Sequence, residues 1–138
     1  MWQSKKIYDV LFDMLQKYVS IRDTATKAPL ENYYHGFLNG IFTSCEKLVS
    51  EYHYNYESGN GYSDITFKAE RNTKAVIIEI KATSNEVDMD ELAAKALSQI
   101  EEMNYAQLFF KQSKITEIYA YGLVFCKKDC LVFCKKLK

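Results

Sequence analysis

The sequence has one proline and five glycines in 138 residues, with no Gly/Ser/Pro-rich stretch to serve as a linker. That scarcity excludes collagen-like and low-complexity classes. No apolar run approaches the roughly 20 residues that a membrane-spanning helix needs. The opening Met1-Trp2-Gln3-Ser4-Lys5-Lys6 lacks the apolar segment of a signal peptide. Asn-x-Ser/Thr acceptors are also missing. The four cysteines therefore read as reduced thiols of a cytoplasmic protein with no membrane association. Nor is there an excess of either charge, since 18 basic and 18 acidic side chains cancel. Bulk attraction to nucleic acid is not evident from such a balance.

What is present is apolar and aromatic. Forty-eight per cent of residues are hydrophobic, and Tyr 11, Phe 8 and Trp 1 supply the material for one core. The charges cancel in total but not locally. Residues 31–102 carry 6 basic and 13 acidic groups, whereas 103–138 carry seven lysines against Glu117 and Asp129. An acidic region that wants a cation beside a lysine surface able to meet phosphate is one reading; an ordinary solvated surface is the other.

Ile7, Tyr8, Leu11, Phe12, Leu15, Tyr18 and Val19 recur at helical steps and predict a helix over 4–20. Residues 21–28 read as a loop, and Pro29 suits the first turn of a second helix striped by Leu30, Tyr33, Tyr34, Phe37, Leu38, Ile41 and Phe42. From Lys47 the period changes to two. The turn signal Ser58-Gly59-Asn60-Gly61 and a second at Arg71-Asn72 separate three strands. The last of these, Ala75 to Lys81, is continuously apolar enough to be a central strand covered on both faces. A third helix runs from Leu92 to Met103, with Asp88, Asp90 and Glu91 at its N-terminal end. Two strands, 115–126 and 130–135, then form a hairpin around Lys127-Lys128-Asp129 that contains a repeated Leu-Val-Phe-Cys-Lys-Lys. The order α-α-β-β-β-α-β-β is that of one mixed α/β (α+β) domain.

Chemistry concentrates on the central strand. Glu79 and Lys81 stand two apart, so they share one face while Ile78 and Ile80 take the other. Burying either charge alone costs several kcal/mol. Antiparallel pairing can bring Asp64 beside Glu79, and two adjacent carboxylates repel unless one is protonated or a cation joins them. Mg²⁺ selects such hard oxygen ligands. Glu31 and His35 are four apart on one helical face, and Gln99 falls on the buried stripe of the third helix, where an amide needs partners. Read plainly, the same residues are a strand-end ion pair, a turn-flanking Asp, a first-turn Glu, a half-buried histidine and a core-edge amide. Cys126, Cys130 and Cys134 recur every four residues and do not fit a zinc site. Glu86, Asp88, Asp90 and Glu91 lack the glycine and terminal Glu of a calcium loop. His53, between Tyr52 and Tyr54, has no Ser or Cys context for a triad.

Four segments in order carry a resemblance: Glu31-x-x-Tyr34-His35, Glu57-Ser58-Gly59-Asn60-Gly61-Tyr62-Ser63-Asp64, Glu79-Ile80-Lys81 and Ala96-Leu97-Ser98-Gln99-Ile100. Spanning roughly 30–126, they resemble the PD-(D/E)XK nuclease superfamily. More narrowly, they are similar to the nuclease domain found C-terminal to bacterial AAA-ATPase-like proteins. The resemblance implies a restriction-endonuclease-like core, a central mixed sheet flanked by helices. It also implies a Mg²⁺-dependent nuclease, with Mn²⁺ as substitute, acting on nucleic acid, DNA before RNA. Asp64 and Glu79 would be metal ligands with the Ile80 backbone carbonyl, Lys81 the catalytic lysine, Glu31 a further acid at the metal, and His35 and Gln99 supporting residues. Tyr62 departs from the family, which often has Arg there. No Gly-x-x-x-x-Gly-Lys-Ser/Thr is present, so an AAA-type ATPase would act in cis on a longer chain or in trans. On this reading residues 1–28 are an N-terminal helix and connecting loop, a linker remnant, and 29–138 the nuclease-like domain. Lys127, Lys128, Lys135 and Lys136 are candidate backbone contacts, which position a strand without reading its bases. A catalytically inactive docking module of an ATPase-associated system, and a homodimer through the C-terminal hairpin, are the competing readings.

Overall fold

A computed structural model describes residues 4–19, 30–45 and 47–138. The expected loop at 21–28, and Pro29, lie outside the described residues. In chain order the elements are α1 (Ser4–Tyr18), α2 (Leu30–Thr43), β1 (Val49–Ser58), β2 (Gly61–Ala69), β3 (Lys74–Ala82), a 3-10 turn (Glu86–Asp88), α3 (Met89–Glu102), α4 (Gln107–Phe110), β4 (Glu117–Cys126) and β5 (Asp129–Lys136). The five strands form one sheet in the order β1-β2-β3-β4-β5. Every neighbouring pair is antiparallel except β3 with β4. A parallel pair needs a long crossover, and α3 supplies it.

Turn chemistry sets the registers. Ser58 pairs with Gly61 across a two-residue turn whose first member, Gly59, has φ 61°. A Cβ at Gly59 would lie 2.3 Å from the Asn104 carbonyl oxygen, so only glycine fits. The Asn60 amide donates to the Met103 carbonyl at 2.8 Å, which docks this turn on the C-terminal end of α3. Glu70, Arg71 and Asn72 all have positive φ in the β2–β3 connection, and Lys127 does at the β4–β5 hairpin.

The sheet is buried on both faces. Ile65, Phe67, Val76, Ile78, Ile80 and Tyr121 pack beneath α1 and α2 with Leu11, Leu15, Tyr34 and Leu38. Ala75, Ile77 and Ala120 form the opposite core with Ile100, Tyr105 and Ala106. Strand β3 alternates between these two cores, which explains its unbroken apolar run. Mixed sheet and flanking helices are those of the restriction-endonuclease-like expectation. Helix α3 begins at Met89, three residues before the expected Leu92, because Met89 is already buried. The 3-10 turn and α4 were not anticipated; both are too short to show a period. No helix among the described residues is long and apolar enough to cross a membrane.

Candidate active site

The site forms where β2 and β3 part company. Their ladder pairs Ile65 with Ile78, the last pair at this end. One residue further the side chains are Asp64 and Glu79. The Ile80 amide, released from backbone pairing there, donates to Asp64 Oδ2 at 2.8 Å. Alternation along β3 points Glu79 and Lys81 toward α3, away from Ile78 and Ile80.

Glu79 is 3% exposed, the most buried carboxyl among the described residues. Its Oε1 accepts from Gln99 Nε2 at 2.7 Å. Its Oε2 is buried and has no hydrogen-bond partner among the described residues. Burial first, then the negative charge of Asp64, push the Glu79 carboxyl up to about 8 against a smaller opposing pull from Lys81. Both effects favour the protonated form of this carboxyl.

Gln99 organises the other half. Its Oε1 accepts from Lys81 Nζ at 2.9 Å while its amide nitrogen faces Glu79, so one amide separates the ammonium from the carboxyl and satisfies both. The Tyr105 hydroxyl lies 3.3 Å from the same amide nitrogen. Helix α3 can come close enough to deliver Gln99 because Gly122, across the ladder from Glu79, carries no side chain. A Cβ there would sit 2.7 Å from the Ala93 carbonyl oxygen and 3.0 Å from the Ala96 Cβ.

From the α2 side, His35 Nε2 lies 3.7 Å from Asp64 Oδ2. Its Nδ1 shares a 2.9 Å hydrogen bond with the Tyr54 hydroxyl. Tyr34, the neighbouring residue of the same segment, is fully buried. It stacks on Phe125 and donates to the Lys127 carbonyl at 2.7 Å, anchoring α2 over the C-terminal ends of β3 and β4.

The structure thus brings together Asp64, Glu79, Ile80, Lys81, Gln99 and His35. Glu31 is exposed, one turn before His35 on the same helical face, with no hydrogen bond or ion pair among the described residues. Lys127 and Lys128 cap the end of the sheet at which Glu79 and Lys81 lie. Lys135 and Lys136 pair with Ala120 and Tyr119 toward the other end, and are engaged by Glu101 at 2.7 Å and Glu117 at 3.4 Å. Tyr62, which departs from the Arg common in the family, is exposed. Among the described residues no group of three or more His, Cys, Asp or Glu is arranged as a metal-ligand set. The carboxylate pair has instead a backbone amide, a glutamine and a lysine around it.

Three contributors escaped the sequence reading. Tyr54 cannot be told from Tyr52 and Tyr56 in the same aromatic strand. Tyr105 follows α3 in a stretch with no clear period. Gly122 did carry a signal, since an isolated glycine inside a strand marks close backbone approach.

A buried carboxyl opposite an aspartate, a lysine two residues on and a glutamine from the next helix thus meet at one end of the sheet. A search of curated proteins finds no match to the chain. The family model of the PD-(D/E)XK nuclease superfamily matches residues 30–134, most of the chain, Asp64, Glu79, Lys81 and Gln99 included. The chain belongs to the PD-(D/E)XK nuclease superfamily.

Proposed function

We propose that this protein is a divalent-metal-dependent nuclease that hydrolyses phosphodiester bonds in DNA. The observation that carries the reading is the burial of the Glu79 carboxyl beside Asp64, where desolvation and the neighbouring negative charge disfavour its ionised form unless a cation joins the two. Two carboxylates that cannot both ionise become a favourable pair once a divalent ion joins them. Asp64, Glu79 and the Ile80 carbonyl would hold Mg²⁺ or Mn²⁺, all hard oxygen donors of the kind those ions select. The Ile80 carbonyl suits this set because it leaves β3 on the same edge as the amide that Asp64 accepts. When bound, such an ion acidifies a water and polarises a phosphoryl oxygen.

The remaining roles belong to the chain itself. Lys81 presents a fixed positive charge to a phosphate oxygen, and Gln99 holds its ammonium in place. His35 lies against Asp64 and limits the positions its carboxylate can take. Glu31, one turn before His35 on α2, would be the further acid of the set. Lys127 and Lys128, at the same end of the sheet, meet the sugar-phosphate backbone.

The test is cleavage of linear, nicked, branched and single-stranded DNA by the purified protein. Cutting is expected with Mg²⁺ or Mn²⁺ and not with EDTA, and Glu79→Ala and Lys81→Ala abolish it. Intact substrate under all of these conditions would overturn the proposal. One observation favours a second reading. Gln99 already occupies both Glu79 and Lys81, an arrangement that is satisfied as it stands and would serve a nuclease-like docking module for an ATPase-type partner. Calorimetry separates the two, because a docking module binds no Mg²⁺ and keeps its partner after Glu79→Ala.

A further inference from the structure

A cavity of about 130 Å³ lies between β1, β2 and α4. Thr66 and Lys68 line it from β2, and they alternate with Ile65, Phe67 and Ala69, which enter the core beneath α1 and α2. The cavity is therefore on the Glu79 face of the sheet. Along β2, Thr66 is two residues from Asp64, a rise of about 7 Å.

Its walls are flat and aromatic. His53 and Tyr56 stack with centroids 4.1 Å apart and planes 17° from parallel. Residues three apart on a regular strand face opposite ways. Here Asn55, with φ 52°, breaks the alternation and puts both rings on one wall. Phe109 of α4 lines the cavity as well. Polar groups line the rest: the Lys68–Glu51 ion pair, the Gln112 amide and the Ser58 and Thr66 hydroxyls. Thr66 is 1% exposed, and its hydroxyl finds no partner among the described residues. A buried hydroxyl left unpaired costs about 1–3 kcal/mol, so its retention asks for a ligand.

Tyr105 joins this cavity to the acidic site. Its carbonyl accepts from the Ser58 hydroxyl on the cavity wall at 2.7 Å, and its own hydroxyl touches Gln99 at 3.3 Å. We infer that the cavity receives an unpaired nucleobase of the substrate strand, its ring against the His53–Tyr56 stack and its edge on Thr66. A flat heteroaromatic ring with hydrogen-bonding edges is what these walls and polar groups fit, and a base must leave its stack to enter. The inference rests on the nuclease reading for the identity of the strand.

The test uses the full-length Glu79→Gln variant in EDTA, so that binding is read without cleavage. The probes are a fluorescent single-stranded decamer made wholly of abasic spacers, and the same decamer with one central thymine. The single base is expected to tighten binding about tenfold, as one stacked base does. That gain disappears when Tyr56→Ala or Thr66→Val is added. Thr66→Val keeps the fold, because it replaces an unpaired hydroxyl with a methyl group. Equal binding of the two decamers, or a gain that survives both substitutions, would overturn the inference. So would thymidine monophosphate binding as tightly as the thymine decamer, which would assign the cavity to a free nucleotide. If the base makes no difference yet the unsubstituted protein cleaves DNA, only this inference falls. If the base tightens binding yet no DNA is ever cut, the nuclease reading falls instead.

Discussion

Gly122 lies directly across the parallel β3–β4 ladder from Glu79. The missing side chain lets the backbone of α3 descend until the Ala93 carbonyl would be 2.7 Å from a Cβ at that position. The buried carboxyl and the glutamine that holds it are thus coupled through a residue that contributes no atoms to the site.

Replacing Gly122 with valine forces α3 away from β4. Overpacking of this kind typically costs 1–3 kcal/mol, about that much is expected here, and chemical denaturation will measure it. The Gln99 bridge between Glu79 and Lys81 is lost with the displacement, so DNA cleavage falls further than the loss of stability alone accounts for. Activity that merely tracks the folded fraction would refute the coupling.

Stability of the metal-free protein is expected to fall as pH rises from the ordinary carboxyl range to about 8. Over that window the folded protein holds a proton on Glu79 that the unfolded chain has already released. Raising the pH therefore favours unfolding until Glu79 itself ionises, and the effect levels off above. Thermal melts across pH 5–9 will show this slope; Glu79→Gln flattens it. Mg²⁺ restores more stability at pH 8 than at pH 6, because binding must displace the proton.

Gln99→Leu leaves Glu79 Oε1 and Lys81 Nζ without the amide that now serves both. The expected loss is about 1–3 kcal/mol, the usual penalty for stranding buried polar groups. Lys81 is then free to reach toward the carboxylates. Crystals of the variant with Lys81 unmoved, or unchanged denaturation, would count against the bridge.

The residues legible in the sequence were those whose role shows in local periodicity. The two-residue step from Glu79 to Lys81 places both on one face of any strand, and the continuous apolar run around them marks a strand covered twice. The helical stripes of α1, α2 and α3, the Gly59-Asn60 turn and the hairpin at Lys127 follow equally from repeat and turn chemistry. Asp64 beside Glu79 needed only the assumption that consecutive strands pair. Tyr54, Tyr105 and the His53–Tyr56 stack were not legible. The last depends on a left-handed residue in β1, Asn55, that no simple alternation predicts.

By itself the sequence determined the order of the strands and longer helices, the buried faces and the acid-lysine pair, because backbone periodicity and turn preference act between residues close along the chain. The tertiary structure alone decided that Gln99 would stand between Glu79 and Lys81, that Asp64 would take the Ile80 amide, and that one Glu79 oxygen would be left without a partner. Those outcomes depend on how closely a helix can approach a sheet and where two strands separate, and distances of that kind are set by packing between residues remote in the chain.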